Sequence, residues 1–551
     1  MRWGLRRPDR REVTKDLTAG TVLGLVSVPD GLAAGLLAGL NPLAGLYGYL
    51  VGTVAGALST SSVFMCVQAT GAMAVVISDI PEVRGRPDSG AALATLGVLT
   101  GAVMLLLGVL RLGSIVRFVP NAVLTGFVNA VAVNIVLGQL ADFTGFRSDA
   151  ENRVLRLVDT IAHLGSWQWL TVATGVATLV LVLAAERTRL GALGLVVGVL
   201  GSSAGVALLG WTQVPLVRDI AQIPQSLPTP QLPSLSLVAP LLVPAVALAF
   251  VGLVQGAAIS QSVPNPDGRY PDSSGDFRGQ GVANIASALL RGMPVGGSMS
   301  GTALVTTAGA RGRLANLTAG AVMAVVILLL AVLAGYIAMP SLAALLMLVG
   351  VRTLSPDRVL MVWRTGATQA TVMATTFALT MLIPLQYAVL AGVAISVVLF
   401  VANQSAKVTV TRWVFEEGSP LPVEQAPPAV LPGSEVVVLA AYGSLFFASS
   451  GVVEAQLPKV TPDSRGSVVV LRLRGKEDLG STFLTAVLRY HDALDAVDSH
   501  LLIAGVGDRV LAQMTRTRAL ARIGVENVFP ATPRVGESLA AALARAEALR
   551  M

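Results

Sequence analysis

Long apolar runs follow one another from Leu17 to Asn403, and they decide what kind of fold this chain can adopt. A helix that crosses a bilayer needs about 20 mostly apolar residues. By this rule the region holds roughly fourteen spans, several of them short. Charged residues make up 13% of the chain, whereas a soluble domain carries about 25%. We therefore predict a polytopic α-helical membrane protein that has the lipid bilayer as a partner.

Basic residues lie in short loops between the apolar runs, and they predict the orientation in the membrane. Positively charged loops stay on the cytoplasmic side. With an even number of spans the basic clusters all fall on one side, and these clusters begin at Arg2, Arg111, Arg187, Arg311, Arg352 and Lys407. We expect residues 1–16 to be a cytoplasmic segment, and both termini to face the cytoplasm across a bacterial-type plasma (inner) membrane. The net charge of +7 follows from this topology, so it indicates no nucleic acid partner.

The sequence argues against several other classes of protein. Cys66 is the single cysteine, which excludes an intramolecular disulfide and a CxxC metal or redox site. The chain has no GxxxxGK[ST] phosphate loop, which disfavours an ATP-driven pump. Its C-terminal part lacks the Ser/His/Asp or metal-ligand spacing of a hydrolase. We predict a protein that is not an enzyme and has no cofactor apart from a coupling ion.

The composition changes after the last apolar run. Residues 407–433 are rich in Pro, Gly and Ser towards their end, which predicts a linker. The runs EVVVLAAYGSLFFASS and SVVVLRLRG then have strand character, and FLTAVLRYHDALDAVD has apolar residues at helical spacing. Strands that alternate with helices predict a small α/β domain over residues 434–551.

Two apolar segments are interrupted by small and polar residues. They contain SSVFMCVQATG and GMPVGGSMSG, and the stretch 281–290 also looks too short to span a bilayer. Irregular backbone at membrane depth is tolerated only where protein or a watery cavity satisfies it. Short interrupted segments in the two halves of a transporter point to its binding site.

Each interrupted segment then opens a helix, and a helix N-terminus carries roughly half a positive charge. Two such N-termini that face each other would hold an anion without any lysine or arginine. The alternative is that these small residues only pack transmembrane helices. The predicted substrate-binding residues are Gln68, Thr70, Gly71, Ser298, Ser300, Gly301 and Thr302.

Asp30 is the one charged residue between Leu17 and Ser78. An ionisable residue inside a span is a functional-site hypothesis by default. We expect it to bind the coupling ion, H⁺ or Na⁺, beside the anion. Two alternatives remain: Asp30 caps a helix after Pro29, or it is exposed in a water-filled vestibule.

The chain resembles the SulP family of sulfate-permease anion transporters. The resemblance rests on VPDGLAAGLLAGLNPLAGLYG, QATGAMAVVIS and GMPVGGSMSGTALVTTAGARGRLANLTAG, while YGSLFFAS and VVVLRLRG are similar to the STAS domain of that family. It implies two inverted seven-helix repeats, at residues 17–210 and 239–406, which are separated by an extracytoplasmic loop at 211–238. It also implies a core and a gate, facing half-helices at spans 3 and 10, and a homodimer.

The sequence departs from the common pattern of the resembled family at several positions. Many members have a glutamine at the position of Asp30, an acidic residue at that of Gln255 and an arginine at that of Gly301. The resemblance therefore implies that Asp30 and Gln255 form a coupling pair whose carboxylate has changed position. The turn at residues 478–484 lacks the Asp and Gly of the phosphorylated STAS turn, so we interpret the domain as regulatory or dimerising.

These observations favour a secondary active transporter of a small inorganic anion, such as sulfate or bicarbonate. Two other functions stay open at this point. One is a nucleobase transporter on the same fold, and the other is a membrane sensor whose output is the STAS domain. The sequence leaves open which anion is carried, whether transport is symport or exchange, and whether H⁺ or Na⁺ couples to it.

Overall fold

The computed structural model describes residues 10–83, 89–113, 120–150, 153–220, 225–383, 387, 391, 394–395, 398–399, 401–402, 407–416 and 421–550. The chain divides into two compact units, Met1–Ser396 and Val397–Met551. Arg117 and most of the last predicted span lie outside the described residues.

The first unit is almost entirely helical. Two three-residue strands interrupt the helices, β1 (Cys66–Gln68) and β2 (Gly296–Ser298). The helices are α1 (Arg10–Leu37), α2 (Pro42–Ser59), α3 (Gly71–Ser78), α4 (Ser89–Val109), α5 (Asn121–Gly138), α6 (Leu140–Thr144), α7 (Arg153–Ala162), α8 (Trp169–Glu186), α9 (Gly194–Leu208), α10 (Val217–Ile220), α11 (Val238–Ser262), α12 (Ser273–Leu289), α13 (Met299–Thr307), α14 (Leu314–Gly335), α15 (Met339–Thr353), α16 (Pro356–Thr365) and α17 (Ala367–Leu382).

Within the described residues, nine helical segments are long and apolar enough to cross a membrane. The half-helices α3 and α13 are too short to qualify, with eight and nine residues. The first segment begins at Arg10, earlier than the predicted start at Leu17, because α1 extends through the polar N-terminal residues.

Close helix contacts in this unit depend on small residues. A Cβ atom built on Gly20 of α1 would collide with the carbonyl oxygen of Ala315, and one on Gly24 would lie 2.7 Å from Cβ of Val322. Small residues four apart let the backbones of two membrane helices approach closely. The sequence therefore brings α1 directly against α14.

The short segment predicted at 281–290 is wrong. It belongs to α12, a 17-residue helix that begins at Ser273 after the capping side chain of Asp272. Hydropathy hides the first half of this helix because that half carries Asp276 and Gln280, which are fully buried. Inside the protein the Asp276 carboxylate accepts from the Ser62 N–H, and the Gln280 amide oxygen accepts from the Gly297 N–H.

The second unit is an α/β domain with a six-stranded sheet in the order β4-β3-β5-β6-β7-β8. Strands β5 to β8 are parallel to one another, whereas β3 is antiparallel to β4 and to β5. The strands are β3 (Thr409–Phe415), β4 (Pro422–Gln425), β5 (Val436–Tyr442), β6 (Val468–Arg472), β7 (His500–Val506) and β8 (Val528–Pro530). The helices are α18 (Ser450–Gln456), α19 (Ser481–Asp495), α20 (Asp508–Arg516), α21 (Ala519–Ile523) and α22 (Glu537–Arg550).

Both faces of this sheet are covered by helices. Phe483 of α19 and Met514 of α20 are buried against one face. Leu539 and Ala542 of α22 are buried against the other face. The parallel strands are therefore buried on both sides, which suits their Val-rich sequences.

The linker predicted at 407–433 contains the strands β3 and β4, so this prediction is corrected. Thr409–Phe415 is rich in β-branched and aromatic residues, a composition that favours a strand. The Pro-rich composition that suggested a linker begins only after this stretch.

Candidate functional site

The two interrupted segments meet in the fold. Strands β1 and β2 pair antiparallel, with Cys66 opposite Ser298 and Gln68 opposite Gly296. All residues of both strands are buried. Because the strands run in opposite directions, α3 and α13 leave the strand pair at opposite ends, each with its N-terminus next to the pair.

A side chain caps each half-helix. The Thr70 hydroxyl accepts a hydrogen bond from the Met73 N–H at 3.3 Å. The Ser298 hydroxyl accepts one from the Gly301 N–H at 3.1 Å. The other N–H groups of each first turn have no acceptor within their own helix. The strand pair therefore has one positive helix N-terminus next to each of its two ends.

Asparagine and glutamine side chains occupy the outer edge of β2. Asn284 of α12 accepts from the Val295 N–H at 2.9 Å and donates to the Val295 carbonyl at 2.6 Å, as a neighbouring strand would do. Gln280 accepts from the Gly297 N–H at 3.0 Å. These amides satisfy a strand edge that has no water at membrane depth.

The outer edge of β1 is satisfied in a similar way from α13 and α14. Asn316 donates to the Met65 carbonyl at 3.1 Å and accepts from the Cys66 thiol at 3.1 Å. The Thr302 hydroxyl accepts from the Cys66 N–H at 3.1 Å and donates to the Ser298 carbonyl at 2.6 Å. Thr302, predicted to bind substrate, has both hydrogen-bonding roles occupied here, so in this structure it braces the strands.

Gln68 connects the strand pair to α1 and α13. Its amide nitrogen donates to the Ser27 hydroxyl at 3.0 Å, and the residue is 2% exposed. Its amide oxygen lies 2.6 Å from the position that a Cβ atom on Gly301 would take. A larger residue at 301 would therefore have to displace the Gln68 amide.

Thr70 and Gln255 contact each other across the site. The Thr70 hydroxyl donates to the amide oxygen of Gln255 at 3.0 Å. Both side chains are partly exposed. A residue predicted to bind the anion and a residue predicted to take part in coupling therefore share one hydrogen bond, which joins α3 to α11.

Asp30 lies within α1, which continues from Arg10 to Leu37 through Pro29. The alternative that Asp30 caps a helix is therefore wrong, because no helix begins there. Its side chain is partly exposed and lies within electrostatic range of Tyr49. Among the described residues it has no hydrogen-bonding or ion-pair partner.

The remaining predicted site residues differ in exposure. Ser300 is exposed, and its hydroxyl lies 3.3 Å from that of Ser298. Gly71 is partly exposed, and a Cβ atom there would lie 2.7 Å from the Cδ1 methyl group of Ile135 on α5. The start of α3 thus packs on α5, whereas the start of α13 is open.

A buried carboxylate holds the loop that leads into β1, and the sequence analysis missed it. Asp276 is 0% exposed and accepts from the Ser62 N–H at 2.7 Å and the Ser62 hydroxyl at 2.6 Å. The hydroxyls of Ser61 and Ser260 donate to it as well. Four donors satisfy this carboxylate, which fixes the approach to the strand pair.

Comparisons with known proteins find a sulfate permease family and proteins that are named as anion transporters. The model of the family described as the sulfate permease family matches residues 13–376. The protein YvdB of Bacillus subtilis is 27% identical over 523 residues, which cover 94% of this chain and 96% of YvdB. The bicarbonate transporter BicA of Synechocystis sp. is 28% identical over 72% of this chain and 71% of its own. The inward-facing structure of the murine Slc26a9 anion transporter matches 99% of this chain and 93% of its own, with a TM-score of 0.85 and 18% identity.

Proposed function

The chain belongs to the sulfate permease family, and we propose that it is a secondary active transporter of a small inorganic anion of the sulfate or bicarbonate class. The observation that carries this proposal is the strand pair β1–β2, because α3 begins next to one end of the pair and α13 next to the other. Relatives named as transporters of bicarbonate support the substrate class.

We propose that the anion binds beside the strand pair, at the two helix N-termini. Each end contributes roughly half a positive charge and N–H donors. The exposed Ser300 and the partly exposed Thr70 offer hydroxyl groups next to these donors. About one unit of positive charge in total suits a compact anion without any lysine or arginine.

Asp30 supplies the coupling in this proposal. A charged carboxylate would repel a nearby anion, and H⁺ or Na⁺ bound at Asp30 would remove that repulsion. The two binding events then favour each other by the same free energy, as linkage requires. The hydrogen bond between Thr70 and Gln255 joins the start of α3 to α11, so Gln255 is the residue through which a change at α11 would reach the anion.

The same order of a strand and a half-helix in β1–α3 and β2–α13 supports two related halves of the first unit, with fourteen spans in all. We further propose an inner-membrane homodimer with cytoplasmic termini. The second unit then acts as a STAS-type regulatory domain. Its α19 starts after Gly480, which has no side chain to cap the helix at the turn where related domains are phosphorylated.

Uptake into proteoliposomes tests the proposal. Labelled sulfate and labelled bicarbonate are offered separately, while pH and Na⁺ gradients are varied one at a time. We expect uptake of at least one anion above protein-free liposomes, accelerated by one of the gradients. Uptake of labelled nucleobase with neither anion carried would instead support the nucleobase alternative and overturn the proposal.

A further inference from the structure

Two short helices between the spans have the same length and the same place in each half of the first unit. Helices α7 and α16 contain ten residues each. In the first half the order is half-helix α3, then α4, α5 with α6, α7 and α8. In the second half it is half-helix α13, then α14, α15, α16 and α17. Both short helices therefore follow the second long helix after the half-helix.

Helix α7 turns its apolar side away from the protein. Leu155, Val158 and Ile161 follow helical spacing and are 59%, 60% and 55% exposed. On the opposite side Thr160 is buried, and its carbonyl accepts from the indole N–H of Trp167 at 2.9 Å. A water-exposed helix would turn its polar side outward, because each Å² of apolar surface left in water forgoes about 25 cal/mol.

Helix α16 packs on protein at one side and exposes both apolar and charged residues elsewhere. Val362 is buried against Ala122 of α5 and Met373 of α17. On one neighbouring flank Leu360 and Trp363, three residues apart, are 47% and 62% exposed. The exposed charged residues lie next to these groups: Arg358 is one turn from Val362, whereas Asp357 and Arg364 are each one turn from Leu360. Helix α16 therefore packs on protein and also exposes both apolar and charged side chains, as a helix at a membrane surface does.

Short connections hold α16 at the ends of its neighbours. Helix α15 ends at Thr353 and α16 begins at Pro356, while α16 ends at Thr365 and α17 begins at Ala367. One connecting residue spans at most about 3.6 Å, so α16 stays within roughly 10 Å of the end of a membrane helix.

Asn129 of α5 fixes the first connection of α16. It donates to the Ser355 hydroxyl at 3.1 Å and accepts from the Ser355 N–H at 3.0 Å. On the other short helix, Trp167 holds Thr160 two residues before α8 begins at Trp169. These contacts keep both short helices close to the ends of the membrane-spanning helices.

From these contacts we propose that α7 and α16 lie in the headgroup interface of the bilayer and anchor the first unit in its two leaflets. The segments between them that cross the membrane are α8, α9, α11, α12, β2 with α13, α14 and α15, an odd number, so the two helices lie on opposite faces. The number of membrane crossings between the two helices depends on the proposed transporter fold. The contact with lipid does not depend on it, because that contact is inferred from the exposure of the apolar side chains. Leu155, Val158 and Ile161 enter one leaflet, and Leu360 and Trp363 enter the other.

The charges on α16 specify which lipids it meets. Arg358 and Arg364 are both exposed on this helix, and basic residues near a membrane surface favour anionic lipids. Because Val362 packs on α5 and Asn129 of α5 holds Ser355, the anchor fixes α5. The half-helix α3 packs on α5 at Gly71 and Ile135, so α5 connects the proposed anchor to the proposed anion site.

Spin labels on the full chain in vesicles of phosphatidylcholine with phosphatidylglycerol test this proposal. Labels are attached to single cysteines at Leu155→Cys, Val158→Cys and Leu360→Cys, with Arg358→Cys and the highly exposed Arg509→Cys as matched polar controls. Native Cys66 is kept because it is 0% exposed. We expect the labels at the three apolar positions to collide mainly with oxygen, which dissolves in lipid. The two control labels should collide mainly with a water-soluble nickel chelate.

The leaflets are distinguished by ascorbate, which does not cross the bilayer. A label at His163→Cys, next to α7, loses its signal only in right-side-out vesicles, whereas the label at Arg358→Cys loses it only in inside-out vesicles. Nickel collision at Leu155 and Leu360 equal to that at Arg509 would overturn the lipid contact. Loss of both ascorbate signals from the same side would overturn the placement in two leaflets. Failure of anion uptake in the same vesicles would affect the proposed function alone.

Discussion

Asp30 places a carboxylate inside a continuous apolar helix, which costs about 2.5–3.5 kcal/mol at a helix centre on the insertion scale. Among the described residues no hydrogen bond or ion pair offsets that cost. Pro29 directly before it also leaves the Leu25 carbonyl without its helical donor, since proline has no N–H. We therefore place the proposed coupling ion, H⁺ or Na⁺, at the Asp30 carboxylate.

We predict that Asp30→Asn abolishes coupling and keeps the fold. Anion binding should persist or become tighter because the repelling charge is removed. Initial uptake rates against imposed pH and Na⁺ gradients give the measurement. Asp30→Glu is the matched control, since it keeps a carboxylate and should keep a gradient response. Wild-type gradient dependence in Asp30→Asn would show that Asp30 has no coupling role.

The double change Asp30→Gln with Gln255→Glu should restore part of the coupling. A glutamate at 255 still accepts the hydrogen bond from Thr70, so the contact between α11 and α3 is kept while the carboxylate changes helix. The same uptake assay compares this double variant with Asp30→Gln alone. Equal, gradient-independent rates in the two variants would count against a shared coupling pair.

At the level of residues, the sequence predicted the groups that begin the half-helices and missed those that hold the strands. Thr70 and Ser298 stand next to glycines in visibly interrupted segments. Asn316 and Asp276 stand alone among apolar or helical neighbours, and their partners are 251 and 214 residues away. The available signal was polarity itself, since a buried amide inside an apolar helix must find a partner.

Among the elements, α13 depends most on close approach. We predict that Gly301→Leu prevents anion binding, because its side chain would displace the Gln68 amide 2.6 Å from the Cβ position. Overpacking of this kind costs about 1–3 kcal/mol, which a membrane unit of this size can survive. Anion-dependent thermal stabilisation and uptake are the measurements. Gly205→Leu is the control, since no atom lies within 4 Å of a Cβ there.

If Gly301→Leu binds and transports the anion as the wild type does, the start of α13 is not the site. If Gly205→Leu is equally impaired, bulk in any membrane helix has the same effect and the result does not support the site.

The strand pair makes a separate prediction about stability. Asn284→Leu removes both hydrogen-bonding partners of Val295 at membrane depth. Each buried group left unsatisfied costs about 1–3 kcal/mol, so the unfolding temperature in detergent should fall. Asn121→Leu is the control because Asn121 is exposed at the start of α5. Equal unfolding temperatures for the two variants would show that Asn284 does not support β2.

Hydropathy predicted the uniformly apolar helices well. It predicted poorly the elements in which polar and apolar residues are combined. The run of 314–335 is apolar throughout, so its helix could be recognised from the sequence alone. Helix α12 was cut short because its polar half is buried by contacts with distant segments, which no local pattern records. Strand β3 was assigned to a linker because neighbouring prolines dominated the composition.

At the scale of the whole molecule, the division into two units follows from where the apolar residues gather. The buried clusters of the second unit contain only residues from Val408 onward, and those around the strand pair contain none of them. Composition predicted this division, since mean hydropathy falls after the last apolar run. Which surfaces face lipid could not be predicted from composition, because α7 and α16 are too short and too polar to count as spans.

We predict, finally, that the second unit is dispensable for anion binding and needed for assembly or regulation. All residues of the proposed anion site lie before Ser396, in the first unit. A chain that ends at Asn403 should therefore bind labelled anion in detergent within about tenfold of the full chain, a difference of about 1.4 kcal/mol. Size-exclusion chromatography shows in parallel whether the shortened chain is folded and whether it still forms the oligomer of the full chain. A shortened chain that elutes as a folded species and binds no anion would mean that the second unit contributes to the site itself.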